Sequence, residues 1–178
     1  MQQDDFSTNA AGLSSKPAGA VIRPDPGRRP PRQEPIHWTL PGFCGDARVT
    51  TSFGDLPIQA LRRRDPLRTV QGTLATVEWV DCIQLDEDFL RANPDALPVR
   101  IGAGAFGGGR PERDIVVSPH QLVNVSPGQF RQDFHRARDL TDRPGILRQP
   151  VMLIRYYVFH CTTPAAVMVE GLCVSVSP

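Results

Sequence analysis

Residues 42–69 read GFCGDARVTTSFGDLPIQALRRRDPLRT, and this stretch decides the fold class of the chain. Apolar residues such as Val49 and Leu56 alternate with polar ones, and Gly-Asp pairs begin at Gly45 and Gly54. Alternation with a period of two is typical of half-buried strands, and Gly-Asp pairs are typical of the tight turns between them. The stretch therefore predicts short β-strands joined by tight turns.

The rest of the chain continues the same pattern. Runs rich in β-branched and aromatic residues are separated by clusters of Pro, Gly, Asn and Asp, as in proteins built from short strands. The runs are DARVTTSF, LPIQAL, LRTVQGTLATVEWVDCIQL, LPVRIGAGAF, RDIVVSPHQLVNV, VMLIRYYVFHC and AAVMVEGLCVSV. Helix is expected only in short pieces, over residues 86–91, which begin with three acidic side chains, and over residues 136–140. We therefore predict an all-β fold of short antiparallel strands.

The first 40 residues differ in composition from the remainder. They are rich in Ala, Gly, Ser, Pro and Arg, and the segment IRPDPGRRPPRQEP carries five prolines, which remove backbone donors and fix φ. We predict a disordered Pro/Arg-rich arm over residues 1–40 and a folded domain over residues 41–178. His37, Trp38 and Leu40 are the expected place where the arm meets the domain.

Charge and hydropathy exclude several kinds of partner. The chain has 20 Lys and Arg against 19 Asp and Glu, a formal net charge of +1, which gives no global field toward nucleic acid or an acidic membrane. The first residues lack the basic and apolar regions of a secretory signal, and no apolar run approaches the roughly 20 residues that span a bilayer. The sequence predicts no nucleic-acid or membrane partner and, by default, a cytoplasmic location.

The four cysteines are Cys44, Cys82, Cys161 and Cys173, and they lie far apart in the sequence. They form no Cys-x-x-Cys pair and no Cys/His spacing of the kind that zinc sites use, so no metal and no other cofactor is predicted. Free cysteine is often buried as a small apolar side chain. We expect this for Cys82, Cys161 and Cys173.

Three separated blocks of the sequence resemble the Hedgehog/intein (Hint) superfamily. Residues 97–119, LPVRIGAGAFGGGRPERDIVVSP, are similar to the bacterial Hint stretch Pro-Val-Arg-Ile-x-Ala-Gly-Ala-Leu-Gly-x-Gly-x-Pro-x-Arg-Asp-Leu-x-Val-Ser-Pro. Residues 42–69 resemble the opening block Cys-Phe-x-x-Gly/Ser-Thr-x-Val-x-Thr-x-x-Gly, and YYVFHCTTPAAVMVEGLCVSVSP resembles the closing strands. The resemblance covers residues 42–175 and implies a compact Hint-like β fold.

The resemblance also implies a reaction, autocatalytic cleavage of the chain's own N-terminal segment. In Hint domains a Cys, Ser or Thr at the first position attacks the preceding carbonyl, and the histidine of a Thr/Ser-x-x-His motif protonates the departing amine. In this chain the first position falls on Gly42, which carries no nucleophile. In IVVSPHQLVNV, Ser118 matches the motif, but the histidine position holds Gln121 and His120 lies one residue early.

Three residues are candidates for a shifted catalytic site. Cys44 could act as nucleophile on the carbonyl of Phe43, Ser118 could orient the scissile amide, and His120 could serve as the acid. The alternative interpretation makes Cys44 a partly buried thiol and His120 a hydrogen-bonded structural histidine. Strand alternation would point His120 away from the face that Gln121 occupies, and the amide of Gln121 cannot relay a proton at neutral pH.

Other chemistries are disfavoured by specific residues. The intein ending His-Asn followed by a nucleophile is absent, so ligation of a downstream segment is not expected. Residues 102–107 satisfy Gly-x-Gly-x-x-Gly, but Gly-Gly-Arg-Pro follows and cannot begin the helix that binds a dinucleotide.

Two hypotheses remain open at the level of sequence. The chain is either a self-cleaving Hint domain, acting at most once per molecule and weakened at Gly42 and Gln121, or a degenerate, non-catalytic β-scaffold or interaction module derived from one.

Overall fold

A computed structural model of the protein describes residues 37–126 and 131–177, so the predicted arm lies almost wholly outside the described residues. Within them the chain forms twelve strands, one short α-helix and three short 3-10 helices. The strands are β1 (Arg48–Thr51), β2 (Gly54–Pro57), β3 (Pro66–Arg68), β4 (Leu74–Leu85), β5 (Val99–Ile101), β6 (Ile115–Val117), β7 (Leu122–Asn124), β8 (Phe134–Arg136), β9 (Ile146–Arg148), β10 (Ile154–Cys161), β11 (Ala165–Val169) and β12 (Leu172–Val176). The helix α1 spans Glu87–Ala92, and the 3-10 helices span Ile58–Ala60, Pro94–Ala96 and Ala137–Leu140.

Two antiparallel sheets organise these strands. The larger sheet follows the order β10-β4-β3-β1-β11-β12-β7-β8, with β2 paired to β1, and the smaller one follows β6-β5-β9. The longest ladder joins β4 to β10 from the pair Leu85 and Ile154 to the pair Val77 and Cys161, with an irregularity after His160. The predicted all-β fold of short antiparallel strands is therefore confirmed.

The hairpin between β11 and β12 illustrates how local sequence sets the register. Val169 pairs with Leu172, so Glu170 and Gly171 form a two-residue turn, with φ values of 48° and 73°. Two left-handed residues in succession are typical of the turn that matches the twist of paired strands. The carboxylate of Glu170 is buried, where it accepts hydrogen bonds from the backbone N–H of Arg48 and from the guanidinium of Arg113. These bonds tie the turn to β1 and to the segment before β6.

Two apolar clusters fill the interior. The larger one contains β-branched residues of both sheets, among them Val49, Val99 and Val117, and all three are inaccessible to solvent. The smaller one contains six buried residues, Trp38, Leu85, Leu90, Ala96, Ile154 and Tyr156. Burial of β-branched and aromatic side chains supplies the main driving force for folding. The smaller cluster matters for function because it includes Trp38, which precedes the first residue of the Hint resemblance.

The predicted helices are found where expected, and one predicted strand is not. Asp86 caps α1, its carboxylate accepting a hydrogen bond from the backbone N–H of Phe89 at 2.9 Å, and residues 137–140 form a 3-10 helix. The run LPIQAL was predicted as a strand but turns into a 3-10 helix after Pro57, closed by a hydrogen bond from the Leu61 N–H to the Ile58 carbonyl. The Ile58 N–H still donates to the Ala47 carbonyl at 2.8 Å, and the chain leaves the ladder with β1 after this bond.

Two further predictions concern residues 37–40 and the burial of the cysteines. Residues 37–40 lie in the same compact unit as the domain, and Trp38 stacks on Tyr156 with ring centroids 5.4 Å apart. Cys161 and Cys173 are buried as expected, but the prediction for Cys82 is wrong, because it lies exposed on β4. No helix among the described residues is long and apolar enough to cross a membrane.

Candidate functional site

The segment Gly42–Cys44 lies between β6 and β10 and connects the two sheets. Phe43 forms antiparallel bridges to Val117 on one side and to Tyr157 on the other. The N–H of Phe43 donates to the Tyr157 carbonyl at 3.0 Å, and the Tyr157 N–H donates to the Phe43 carbonyl at 2.8 Å. Phe43 itself is buried and stacks on Phe159 with ring centroids 5.8 Å apart. The segment that holds the family's first residue is thus an integral part of the core.

Gly42 fits closely against β10. A Cβ atom at this position would lie 3.1 Å from the Cβ of Tyr156, 3.3 Å from the Tyr157 carbonyl oxygen and 3.4 Å from a methyl group of Val158. Glycine is typical of places where another strand approaches the backbone this closely. The position lacks a nucleophile and also lacks the room for one in the present packing.

Cys44 is half-buried and packs against the smaller apolar cluster. Its backbone N–H donates to the Val116 carbonyl at 2.9 Å, which fixes the residue beside β6. Burial, with a smaller contribution from the nearby carboxylate of Asp46, raises the pKa of the Cys44 thiol from 9.0 to about 12. Only the thiolate is a competent nucleophile, so burial and charge both act against a reaction at this sulfur.

Ser118 holds the peptide on both sides of Pro41. Its hydroxyl donates to the Leu40 carbonyl at 2.6 Å and accepts a hydrogen bond from the indole N–H of Trp38 at 3.1 Å. Its backbone N–H donates to the Gly42 carbonyl at 2.8 Å. Ser118 is fully buried, so these contacts are shielded from water. The structure therefore places Ser118 against the junction, which is the position that the resemblance predicts.

Gln121 occupies the junction side of the core. Its side chain is 1% exposed and lies with Pro41, Gly42 and Ser175 around a cavity of only about 20 Å³. The amide nitrogen donates to the Ser175 carbonyl at 3.1 Å and to the Leu122 carbonyl at 3.2 Å. An amide held in this way has donors but no titratable proton. Gln121 contributes structure at the place where the family pattern requires an acid.

His120 lines a larger cleft that adjoins the same junction, since Pro41 and Ser175 line both this cleft and the small cavity at Gln121. It lies in a turn in which the Gln121 N–H donates to the Ser118 carbonyl at 3.0 Å, so the two side chains diverge through a turn and not through the strand alternation we predicted. His120 lines a cleft of about 780 Å³ that also receives residues 37–41. Burial, followed by Arg138 and Arg136, lowers the pKa of His120, while Asp95 and a hydrogen bond to the Trp38 backbone oppose the shift.

The candidate residues therefore fall into three separate environments. Ser118 and Gln121 meet the junction at Pro41 and Gly42, the thiol of Cys44 packs into the smaller apolar cluster, and His120 faces the cleft. His120 and the junction residues Leu40 and Pro41 line the same cleft, whereas Cys44 is not among the lining residues. No cluster of His, Cys, Asp or Glu in the described ranges has the geometry to hold a metal ion.

Sequence reasoning missed several residues that hold the junction. Tyr156 packs against both Gly42 and Trp38, and its hydroxyl donates to the Ala96 carbonyl at 3.0 Å. The carbonyl of Ser175 anchors Gln121 from the last strand. A backbone carbonyl leaves no trace in sequence, so only the fold could reveal the second of these contacts.

Comparison with known proteins agrees with this arrangement. The family model described as a Hint domain matches residues 41–175. The chain belongs to the Hint-domain family. The fold of the Hint domain is also found in a DnaB intein from Synechocystis sp. PCC 6803, which has 11% identity and a TM-score of 0.50 over 78% of this chain and 99% of the intein. The Ssp DnaB mini-intein variant M86 gives 11% identity and a TM-score of 0.52 over 80% and 98% of the two chains.

These structural likenesses concern the fold alone, because the sequences share so few residues. A search of curated proteins finds no match to the chain. The chemistry of this Hint domain therefore has to be argued from its own junction.

Proposed function

We propose that this Hint domain binds its upstream segment at the junction Leu40–Pro41–Gly42 and does not cleave it. In this proposal the domain keeps the part of a self-processing fold that grips the peptide, and it has lost the nucleophile and the acid. It acts as a non-catalytic β-scaffold for the segment that precedes it.

The protonated, half-buried thiol of Cys44 carries the proposal. Cleavage here would require the sulfur to bond to the Phe43 carbonyl carbon while the amide nitrogen of Cys44 leaves with a proton. Burial, with a smaller contribution from Asp46, raises the pKa of the Cys44 thiol to about 12, so the thiol is almost entirely protonated at neutral pH. The Phe43 carbonyl is also engaged by the Tyr157 N–H in a sheet bridge, which an attack would have to break.

A missing acid supports the same conclusion. An amide nitrogen leaves poorly as an anion, so the reaction needs a proton donor beside it. The amide of Gln121 cannot supply a proton, and its nitrogen is held by two carbonyls. The ring of His120 faces the large cleft, and its lowered pKa keeps it mostly neutral at pH 7.

The contacts that hold the upstream segment favour a scaffold over a domain that has lost all function. Ser118 makes three hydrogen bonds to residues 38, 40 and 42, and Trp38 is buried between Ser118, Tyr156 and Phe89. Buried, satisfied hydrogen bonds of this kind specify one arrangement of the chain. They hold the upstream segment in place without any chemistry.

The test is the intact mass of the full chain before and after incubation with a small thiol at neutral pH, which would trap a thioester by exchange. We expect one unchanged mass for the wild type and for Cys44→Ala. A fragment ending at Phe43 that appears in the wild type and not in Cys44→Ala would establish self-cleavage by Cys44 and overturn the proposal. A fragment ending at Pro41 would overturn it as well, through a nucleophile other than Cys44.

A further inference from the structure

The large cleft beside the junction has an unusual concentration of aromatic and basic side chains. It has a volume of about 780 Å³, within the range of about 300–1,000 Å³ that is typical of small-molecule sites. Both tryptophans of the chain, Trp38 and Trp79, line it, together with three of its four histidines, His37, His120 and His160. The gripped segment, residues 37–41, forms one part of the lining, and the function proposed above makes no use of Trp79, Arg136 or Arg138 in the remainder.

Positive charge predominates in the cleft. Arg136 at the end of β8 and Arg138 in the following 3-10 helix both line it, against one carboxylate, Asp95. Asp95 meets Arg148 at 3.4 Å, and Arg138 meets its neighbour Asp139 at 3.5 Å. Arg136 forms no ion pair within residues 37–126 and 131–177. The cleft thus presents a guanidinium that is available to an anion, with a second one two residues away in the sequence.

The pKa of His120 is a second indication of positive charge in the cleft. Its ring faces Arg136 and Arg138 from β8 and the 3-10 helix, Asp95 from the 3-10 helix after α1, and the backbone of Trp38 from the junction segment. The pKa of His120 is lowered first by burial and then by the charges of Arg138 and Arg136, so both charges lie near this residue of the cleft lining. An anion placed between them would relieve this repulsion.

Another part of the cleft lining is aromatic and apolar. Trp79 stacks on His160 with ring centroids 5.4 Å apart and an interplanar angle of 20°. Trp79 nevertheless remains 42% exposed, which is high for the largest aromatic side chain. Val158, Phe159 and Leu40 also line the cleft. An exposed tryptophan backed by a second ring offers a flat surface on which another ring can pack.

We propose that the cleft binds a small anionic molecule with an aromatic or apolar body. Its carboxylate, sulfonate or phosphate group pairs with the guanidinium of Arg136, with Arg138 nearby, and its body packs on Trp79. Planar guanidinium groups suit such anions because two N–H donors can reach two oxygens at once. Arg136 and Trp79, which make the proposed contacts, lie outside the junction segment, so a failure here leaves the proposed function untouched.

The experiment uses two dyes of nearly the same shape, one of which is anionic and the other neutral. 8-Anilinonaphthalene-1-sulfonate carries a sulfonate, and N-phenyl-1-naphthylamine is its neutral counterpart. Each is titrated into the full-length protein, and binding is followed by dye fluorescence and by quenching of tryptophan emission, which originates entirely from the two cleft-lining rings. We expect saturable binding of the sulfonate with one site per chain and much weaker binding of the neutral dye.

Variants locate the site. Arg136→Gln should weaken the sulfonate by about fivefold or more and leave the neutral dye unchanged, because it removes a charge-assisted contact. The matched control is Arg68→Gln, on the exposed face of β3 and away from the cleft lining, which should change neither dye. Trp79→Leu should weaken both dyes. If Arg136→Gln fails to fold, Arg138→Gln provides the same comparison.

Two results would overturn the proposal. Equal affinity for both dyes would mean that the cleft does not select an anion. Equal loss in Arg136→Gln and Arg68→Gln would mean that only the overall charge of the protein matters.

Discussion

Gly42→Ala tests whether the packing against β10 leaves room for a side chain at Gly42, the first position of the Hint domain. The backbone at Gly42 lies outside the left-handed region, so alanine meets no conformational barrier there. Its Cβ, however, would meet the Tyr156 Cβ at 3.1 Å, the Tyr157 carbonyl oxygen at 3.3 Å and the Val158 methyl at 3.4 Å. Two of these three atoms are backbone or directly attached to it, and they cannot move without shifting β10.

The magnitude follows from two opposing effects. Overpacking a well-packed core costs about 1–3 kcal/mol, whereas replacing glycine by alanine at a permitted backbone conformation gains about 0.4–1 kcal/mol from the unfolded state. The free energy of unfolding should therefore fall by about 1–2 kcal/mol in Gly42→Ala. At roughly 2–4 °C per kcal/mol for a chain near this length, the melting temperature should fall by several degrees.

Urea unfolding of the series Gly42→Ala, Gly42→Ser and Gly42→Cys measures the effect, with the midpoint as readout and the slope as a check on two-state behaviour. The loss of stability should increase with the size of the side chain. An alanine variant as stable as the wild type, or more stable, would refute the reasoning, because it would show that β10 leaves space for a side chain at Gly42.

Two further substitutions probe the junction and the cleft. Ser118→Ala leaves the buried indole N–H of Trp38 without an acceptor and should lower the free energy of unfolding by about 2–3 kcal/mol. The control is Ser52→Ala, because the Ser52 hydroxyl bonds no other described residue. Equal losses of stability in the two variants would contradict the role of Ser118 as the acceptor for Trp38. The pKa of His120 is lowered by burial and by Arg138, so below its ordinary value of 6.5 the unfolded chain binds more protons than the folded one and stability falls with falling pH. His120→Gln should flatten this dependence between about pH 7 and pH 5 in urea titrations, and an unchanged slope would show that His120 does not cause it.

Local sequence was sufficient to predict most of the fold. Alternating apolar residues and the Gly-Asp turn at residues 45–46 predict the strand around Val49, and the acidic residues that follow Leu85 predict α1. The turn expected at Gly54-Asp55 is wrong, because the turn falls on residues 52–53 and Gly54 begins β2. A further exception is at Ile58, whose N–H makes the last bond to Ala47, whose side chain is buried and whose carbonyl closes the 3-10 turn with the Leu61 N–H. Exposure of Cys82 was likewise beyond the sequence, since both faces of a long strand such as β4 can carry small apolar residues.

The sequence predicted that Ser118 lies at the junction, whereas the catalytic roles of Cys44, Ser118 and His120 stay predictions. The Hint resemblance located Gly42, Ser118 and Gln121 at the junction, where they are found. The approach of β10 to Gly42 depends on contacts more than 110 positions apart, and the cleft is lined by residues between His37 and Ser177. Distances of this kind arise from tertiary packing, which no local pattern encodes.

The reactivity of the Cys44 thiol most directly tests the claim that the domain binds its upstream segment without cleaving it. Full-length protein is treated with iodoacetamide at about pH 7, and alkylation of each cysteine is followed over time by peptide mass; only the thiolate reacts. The exposed Cys82 should be modified first, while Cys44, with its pKa of about 12, stays unmodified along with the buried Cys161 and Cys173. Alkylation of Cys44 as fast as that of Cys82 would contradict this, because such a thiolate would be available to attack the Phe43 carbonyl.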